Sequence, residues 1–440
     1  MRTLILCFCF ALAACTGAAD PDAGYGPNPQ LGAPTPGLLP TVNTATPVGW
    51  AANAAPQAPE GFSVTRYAEG IIHPRWIYVL PNGDVLVAQS STEPARGGGI
   101  MGWLRNMVQR GAGAIEDESP DRITLLRDSD GDGDVDYRSD FAHEGLRQPF
   151  GMALVGEHLY VANTNAIVRF RYTPGMTEVS GPAETMFELP YNEGANGHWT
   201  RSLAVSPDGT KLYVAVGSVS NIPSDADAFA VEEGRAAVWQ LNPDGSGARI
   251  FASGLRNPVG MDFEPNSGAL WVAVNERDEL GDNLAPDYMT SVRENAFYGW
   301  PYAYQGQIVD TRVTPQNPDL VAGALTPDYA LGSHTASLGL HFNRTESFPG
   351  AYRSGVFIGQ HGSWNRSELV GYKVIFVPFA NGRPAGEVQD FLTGFLNDRG
   401  QAQGRPVGVH MDRTGALLVA DDVGDIIWRV AAAQPPAASQ

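Results

Sequence analysis

Residues 254–283 read GLRNPVGMDFEPNSGALWVAVNERDELGDN, and residues 297–301 continue with FYGWP. Arg256 and Asn257 form a polar lip, followed by an apolar run at 259–263 and a Pro-Asn-Ser-Gly turn. A second apolar run, 269–274, opens into an acidic loop at 275–282. Two short apolar runs broken by turn residues predict a β-hairpin. Such a hairpin puts its polar ends on one side and its turn on the other.

The same pattern recurs along the chain. It appears as PRWIYVLPNGDVLVAQ (74–89), QPFGMALVGEHLYVANT (148–164) and TRSLAVSPDGTKLYVAVGS (200–218). It returns as a weaker copy in TASLGLHF (335–342) with GVFIGQHG (355–362), and finally as RPVGVHMDRTGALLVADD (405–422). With the opening stretch, that makes six copies. Further strands are expected between them, at 123–127, 166–172, 237–242 and 373–379. Repeated units that bury their faces only against neighbours define a β-propeller, so the fold class is all-β, six-bladed, with four-stranded antiparallel blades. The insertion at 99–113 carries Ile100, Trp103, Leu104, Met107 and Val108 at helical spacing, which predicts a short helix packed on a blade.

Because every turn faces one way, the residues flanking the hairpins collect on the opposite rim, around the central channel. They include His73, Arg75, Arg147, Gln148, Asn163, His198, Trp199 and Arg201. Ser218, Asn221, Arg256, Asn257, residues 275–278 and His334 follow. Gln360, His361, Trp364, Asn365, Arg366, Arg405, Asp421 and Asp422 complete the set. Such a gathering of arginines, histidines and carboxylates calls for a polyanionic ligand or an ion.

Two acidic loops require separate readings. The run DSDGDGDVD (128–136) alternates carboxylates and has Gly133 where an EF-hand loop wants glycine, but Ser139 stands in place of the bidentate Glu. A partial Ca²⁺ loop and a plain Asp-Gly turn both fit it. The loop at 275–282 lies on the ligand rim, and its hard oxygen donors suit Ca²⁺ better than Zn²⁺.

The bulk numbers agree with this picture. The 51 Gly and 33 Pro among 440 residues supply many turns, and 43% hydrophobic content supports a globular core. A net charge of −19 repels phosphate backbones, which excludes nucleic acid as a partner. Arg2 followed by an apolar run at 4–12 and Leu-Ala-Ala-Cys at 12–15 has the layout of a signal peptide (1–14) with a lipoprotein cleavage site. Lipid on Cys15 would then be the only membrane attachment, giving a bacterial envelope protein facing the periplasm. Loss of Cys7 and Cys9 with the signal leaves no disulfide and no CxxCH haem site. Residues 15–58, rich in Ala, Pro and Gly, are expected to be a flexible linker, with the propeller at 59–433 and a disordered tail at 434–440.

Five motifs carry a resemblance: GHWTR (197–201), GLRNPVG (254–260), VNERD (274–278) with YGWP, HGSWNR (361–366) and GRPVG (404–408). With these, residues 61–430 resemble the soluble quinoprotein sugar dehydrogenases of the glucose/sorbosone type. That family implies a six-bladed propeller holding pyrroloquinoline quinone (PQQ) and Ca²⁺ at its mouth. By resemblance, His198 is the general base and Arg256 and Asn257 contact the quinone. Arg201, His361, Trp364, Arg366, Arg405 and Asp422 complete the cofactor set, with Arg405 pairing a PQQ carboxylate. Glu276, Arg277 and Asp278 form the Ca²⁺ loop, with main-chain carbonyls as ligands. Two positions depart from the glucose branch: Arg366 stands where that branch has lysine, and Val407 where it has a second arginine.

The chemistry agrees with the resemblance. Arginine pairs bidentately with carboxylates, of which PQQ has three. A neutral imidazole is a suitable base near neutral pH. Trp199 and Trp364 either stack on a sugar or quinone ring or simply pack the rim. The resulting expectation is a PQQ- and Ca²⁺-dependent dehydrogenase that takes an aldose or sugar aldehyde to a lactone or acid. It would pass electrons to an external quinone or cytochrome. A Ca²⁺-dependent propeller lactonase and a non-catalytic glycan- or protein-binding propeller are the rival readings.

Overall fold

A computed structural model describes residues 24–37, 41–94, 106–107, 109–113, 115, 119–193 and 196–433. The expected hairpins form the inner and second strands of six sheets arranged as propeller blades. Blade 1 runs outward as Pro74–Val79, Val85–Gln89, Arg122–Arg127 and Tyr137–Ala142. Blade 2 is Met152–Val155, His158–Ala162, Ala166–Arg171 and Glu184–Glu188. Blade 3 is Leu203–Val205, Leu212–Val216, Ala237–Leu241 and Arg249–Ser253. Blade 4 is Asn257–Phe263, Leu270–Asn275, Pro286–Ser291 and Tyr329–Ser333. Blade 5 is Ser337–Phe342, Gly355–Gln360, Lys373–Ala380 and Gln389–Leu392. The four strands expected between the hairpins are the third strands of blades 1, 2, 3 and 5.

Blade 6 joins the two ends of the ring. Its inner strands Pro406–Met411, Leu417–Asp421 and Ile426–Ala432 are completed on the outside by Phe62–Glu69. This antiparallel pairing closes the circle with backbone hydrogen bonds instead of leaving two free edges.

Between blades the contact is apolar. Five buried clusters each join two neighbouring blades, and a sixth joins blades 1 and 2 and adds Val259, Leu338 and Val407 from the inner strands of blades 4, 5 and 6. In Leu270–Asn275, Leu270, Val272 and Val274 pack toward blade 3, while Trp271 and Ala273 pack toward blade 5. Strand side chains alternate sides, so a strand buried on both faces must be apolar at every position. That is why LWVAV reads as an unbroken hydrophobic run.

Around the channel the inner strands approach one another closely. A Cβ on Gly260 would overlap the Leu338 carbonyl and the Leu340 amide of blade 5, and one on Gly339 would overlap the Val407 carbonyl of blade 6. Gly151 and Gly408 hold the same place in their repeats and face the next blade in the same way. Beside this position the ladder shifts register in blades 1, 4, 5 and 6. Such bulges re-aim the residues at the strand's start, which here is the rim.

The segment expected to be a linker is a correction. Residues 24–37 and 41–58 lie against the propeller instead of hanging free. Tyr25–Gly26 adds a fifth strand to blade 4, Pro47 bridges Ala402, and Gln57 pairs with Thr393. Composition misleads here because the segment makes no core of its own. It satisfies its backbone on edges that the blades leave open, and Trp50 buries its ring against Phe395 and Trp428.

The helix expected at 99–113 falls largely outside the described residues; Met107, in the described part, is exposed. The 128–136 loop links two strands of blade 1, with Asp128 accepting the Gly131 and Gly133 amides. Asp128, Asp130 and Asp136 bring carboxylate oxygens within 4.8 Å of one another. Ser139 belongs to the following strand, where its hydroxyl donates to the Thr177 carbonyl.

If inner-strand approach sets the ring, Gly260→Ala lowers unfolding stability by about 3 kcal/mol. Urea denaturation monitored by tryptophan fluorescence reads this directly.

Candidate active site

The rim opposite the turns gathers the polar residues into two connected groups. In the first, His198 Nδ1 lies 2.9 Å from the Ser218 carbonyl. A carbonyl only accepts, so the neutral ring carries its proton on Nδ1 and its lone pair on Nε2. Gly217 stands between His198 and Asn257: a Cβ there would overlap both side chains. The Ser218 amide donates to the Arg256 carbonyl at 2.8 Å, tying the end of one hairpin to the start of the next.

Arg256 reaches across to the acidic loop. Its Nη1 donates to the Glu276 carbonyl at 2.7 Å, and its Nη2 contacts Asp278 Oδ2 at 2.8 Å. Asp278 also accepts from Asn365 Nδ2 at 2.7 Å, with His334 Nδ1 at 3.7 Å. Burial would raise the Asp278 pKa, but Arg256 and His334 outweigh it and hold the carboxyl well below its usual range.

In the second group Arg75 is ion-paired with Asp422, which also accepts from His361 Nε2 at 2.8 Å. Burial and the flanking Arg405 and Arg75 push His361 down to about 4 against the pull of Asp422, so the imidazole is neutral at pH 7. Arg75 also lies over the Trp199 ring at 5.4 Å, which joins this group to the His198 loop.

Arg405 and Arg366, like Arg201 and Arg235, donate to neutral partners among the described residues. Arg405 Nη2 donates to the Ala45 carbonyl at 3.4 Å and the Tyr372 hydroxyl at 3.3 Å, and the guanidinium lies over the Tyr372 ring. Arg366 contacts the Ser333 carbonyl at 3.4 Å and Asn283 Oδ1 at 3.3 Å. Both side chains are buried, and each keeps its Nε without a hydrogen-bond partner. Guanidinium groups held among neutral partners are ready to receive carboxylates. Asn257 Oδ1 and Glu276 Oε1 are likewise buried without partners.

Other expected site residues have different contacts. Arg201 is fully buried and donates to the carbonyls of Pro190, His198 and Thr200, bracing the His198 loop. Arg277 is a buried counterion between Glu276 and Asp310, and it also donates to the Pro301 carbonyl at 2.8 Å. Its side chain therefore offers a metal nothing. Trp364 is 42% exposed at the mouth.

Sequence reading missed several supports of the rim. Arg235 holds Asn196 and Asn192 of the His198 loop, and Glu232 accepts the Val219 and Ser220 amides. Asp287, pushed up to about 6 by burial, accepts the Glu276 and Ser337 amides. Arg235 and Glu232 sit between a short helix and a third strand, where the hairpin pattern carries no signal.

A cavity of about 210 Å³ lies at the turn end of the channel, away from this rim. Its walls mix apolar side chains with Asp262 and with His341 and His410, which stack at 4.1 Å. Burial pushes both imidazoles below their ordinary pKa. The arginines and the acidic loop converge on the opposite end, and that end is the candidate site.

A family model described as TrAA12-like matches residues 56–305 and 305–432. An uncharacterised protein of Borreliella burgdorferi is 31% identical over 297 residues, covering 65% of this chain and 76% of the relative. The calcium structure of Trichoderma reesei Carbohydrate-Active Enzymes Family AA12 superposes with TM-score 0.69 at 19% identity, covering 89% of this chain and 99% of that one. The holo form of the pyranose dehydrogenase PQQ domain from Coprinopsis cinerea superposes with TM-score 0.68 at 20% identity, covering 88% and 100%. At these identities the two structures establish the shared propeller fold.

The depressed Asp278 carboxyl fixes the sign of one pH effect. Its ionised form stabilises the fold above the unfolded carboxyl pKa of about 3.9, and that contribution is lost as pH falls through the folded value. Asp278→Ala should cost about 3 kcal/mol at pH 7, because Arg256 is left buried with its charge unpaired. Asp278→Asn should lose less stability than the wild type on acidification below about pH 4. Thermal melts across pH test both.

Proposed function

The chain belongs to the TrAA12-like family, and on that premise we propose that it is a PQQ- and Ca²⁺-dependent oxidoreductase. It converts an aldose or sugar-derived aldehyde to a lactone or acid. The observation that carries this reading is the meeting of His198, Arg256 and Asn257 around Gly217, on the rim that also bears Arg366 and Arg405. The PQQ-bound and calcium-bound structural relatives support the choice of cofactors.

The residues fit the cofactor in type. Arg366 and Arg405 are buried guanidinium groups among neutral partners, suited to a tricarboxylate. PQQ, when bound, supplies a two-electron acceptor that the side chains themselves lack. For Ca²⁺, the loop at 276–278 offers oxygen donors. The Glu276 carbonyl accepts from Arg256 Nη1 and, with two lone pairs, would still be able to serve as one of those donors.

In the reaction, His198 removes the sugar hydroxyl proton at Nε2, since Nδ1 donates to the Ser218 carbonyl. Arg256, with Asp278 holding it in place, supplies positive charge where negative charge develops. Arg201 and Arg235 act through the His198 loop, keeping its backbone fixed. His361, Asp422 and Arg75 form a rigid pier on the cofactor side, and Trp364 offers a ring face to the sugar. Electrons leave to a separate quinone or cytochrome. Lipid on Cys15 holds the protein on the envelope, facing the periplasm.

Reconstitution with PQQ and Ca²⁺, followed by dye reduction across a panel of aldoses, tests the proposal. Aldose-dependent dye reduction is expected. Lactone opening with the dye left oxidised replaces this reading with a hydrolase. His198→Ala should retain PQQ binding and lose about 10²–10⁴-fold in turnover; full turnover in that variant removes His198 from the mechanism.

A further inference from the structure

The segment that precedes the propeller crosses the rim over Arg366 and Arg405. The Asn43 amide donates to the Trp364 carbonyl at 2.8 Å, and Asn43 Nδ2 donates to the Ser367 carbonyl at 2.8 Å. These two contacts bracket the loop that carries Arg366. Ala45 is buried, and its carbonyl accepts from Arg405 Nη2. Thr46 and Val48 then zip onto Ala402 through backbone hydrogen bonds of 2.9 and 2.8 Å.

Trp50 ends this crossing. Its Nε1 donates to Asp421 Oδ2 at 2.7 Å, beside Trp428 Nε1 at 3.0 Å on the same oxygen. The other oxygen, Oδ1, accepts the Arg405 amide at 2.7 Å and the Gly424 amide at 2.9 Å. Asp421 is thus a buried junction between Trp50 and the Arg405 backbone. Arg405 is gripped twice by the same segment: at its backbone through Asp421, and at its guanidinium by Ala45.

We propose that residues 43–50 are a wall of the cofactor site, and that Trp50 is a positioning residue which presets Arg405 for a carboxylate of the cofactor. The proposal rests on the PQQ reading above. Preorganisation of this kind raises affinity by removing the cost of ordering the arginine during binding. It leaves the reacting atoms untouched, so affinity and turnover should separate.

Trp50→Phe keeps a ring against Phe395 and Trp428 and deletes the N–H. The expected result is about tenfold weaker PQQ binding in a fluorescence titration of the purified full chain, with unchanged kcat at saturating PQQ. Asn43→Ala, which deletes the Nδ2 bond to the Ser367 carbonyl at one side of the Arg366 loop and leaves the core alone, should weaken PQQ binding in the same direction. Val42→Ala, an exposed position just outside the wall, should match wild type. Melting curves identify any variant whose loss is merely unfolding, in which case Asn43→Ala decides. Wild-type affinity in both Trp50→Phe and Asn43→Ala overturns the proposal while leaving the PQQ reading intact. A wild-type protein that takes up no PQQ overturns both.

Discussion

Six inner strands stand so close around the channel that a methyl group at Gly260 or Gly339 has no room. This close approach decides where everything else lies. It brings the starts of the inner strands onto a narrow circle, and the bulges beside those glycines turn the starting residues toward the rim. Arg256 stands at the head of blade 4 and Arg405 at the head of blade 6, on the same rim. A wider ring would leave the same residues as separate surface charges.

A circle of that size concentrates charge, and the protein handles the charge in two ways. Arg256, Arg75 and Arg277 are answered internally by Asp278, Asp422, Glu276 and Asp310. Buried pairs of this kind contribute little net stability, because desolvation offsets most of the attraction. The apolar clusters between blades hold the fold together, and the ion pairs set geometry. Arg366 and Arg405 are handled differently, with carbonyls, a hydroxyl, an amide and the Tyr372 ring as partners.

The hairpins were legible because period and turn chemistry agree within each short stretch, as in LWVAV beside its Pro-Asn-Ser-Gly turn. Their common direction then located the rim, and with it His198, Arg256 and Asn257. Two kinds of information were not in the local pattern. One is long-range pairing: Phe62–Glu69 finds its partner at Ile426–Ala432, and Tyr25–Gly26 finds Tyr329–Ser333. Nothing in the Ala- and Pro-rich composition of residues 24–58 announces the edges that will receive it. The other is the direction a long side chain takes once its backbone is placed. Arg201 and Arg277 lie within motif stretches yet turn into the protein, toward carbonyls that become neighbours only in the fold.

Blade 6 carries a consequence for how the molecule comes into being. Its outermost strand is made before blades 1 to 5 and the three it joins are made after them. The nascent chain must therefore carry Phe62–Glu69 unpaired until the five intervening blades have left the ribosome. Contacts of such high sequence separation form late and slowly, and an exposed apolar strand edge invites aggregation in the interval. An escort that keeps the early strand apart from other chains would be of most use during that wait.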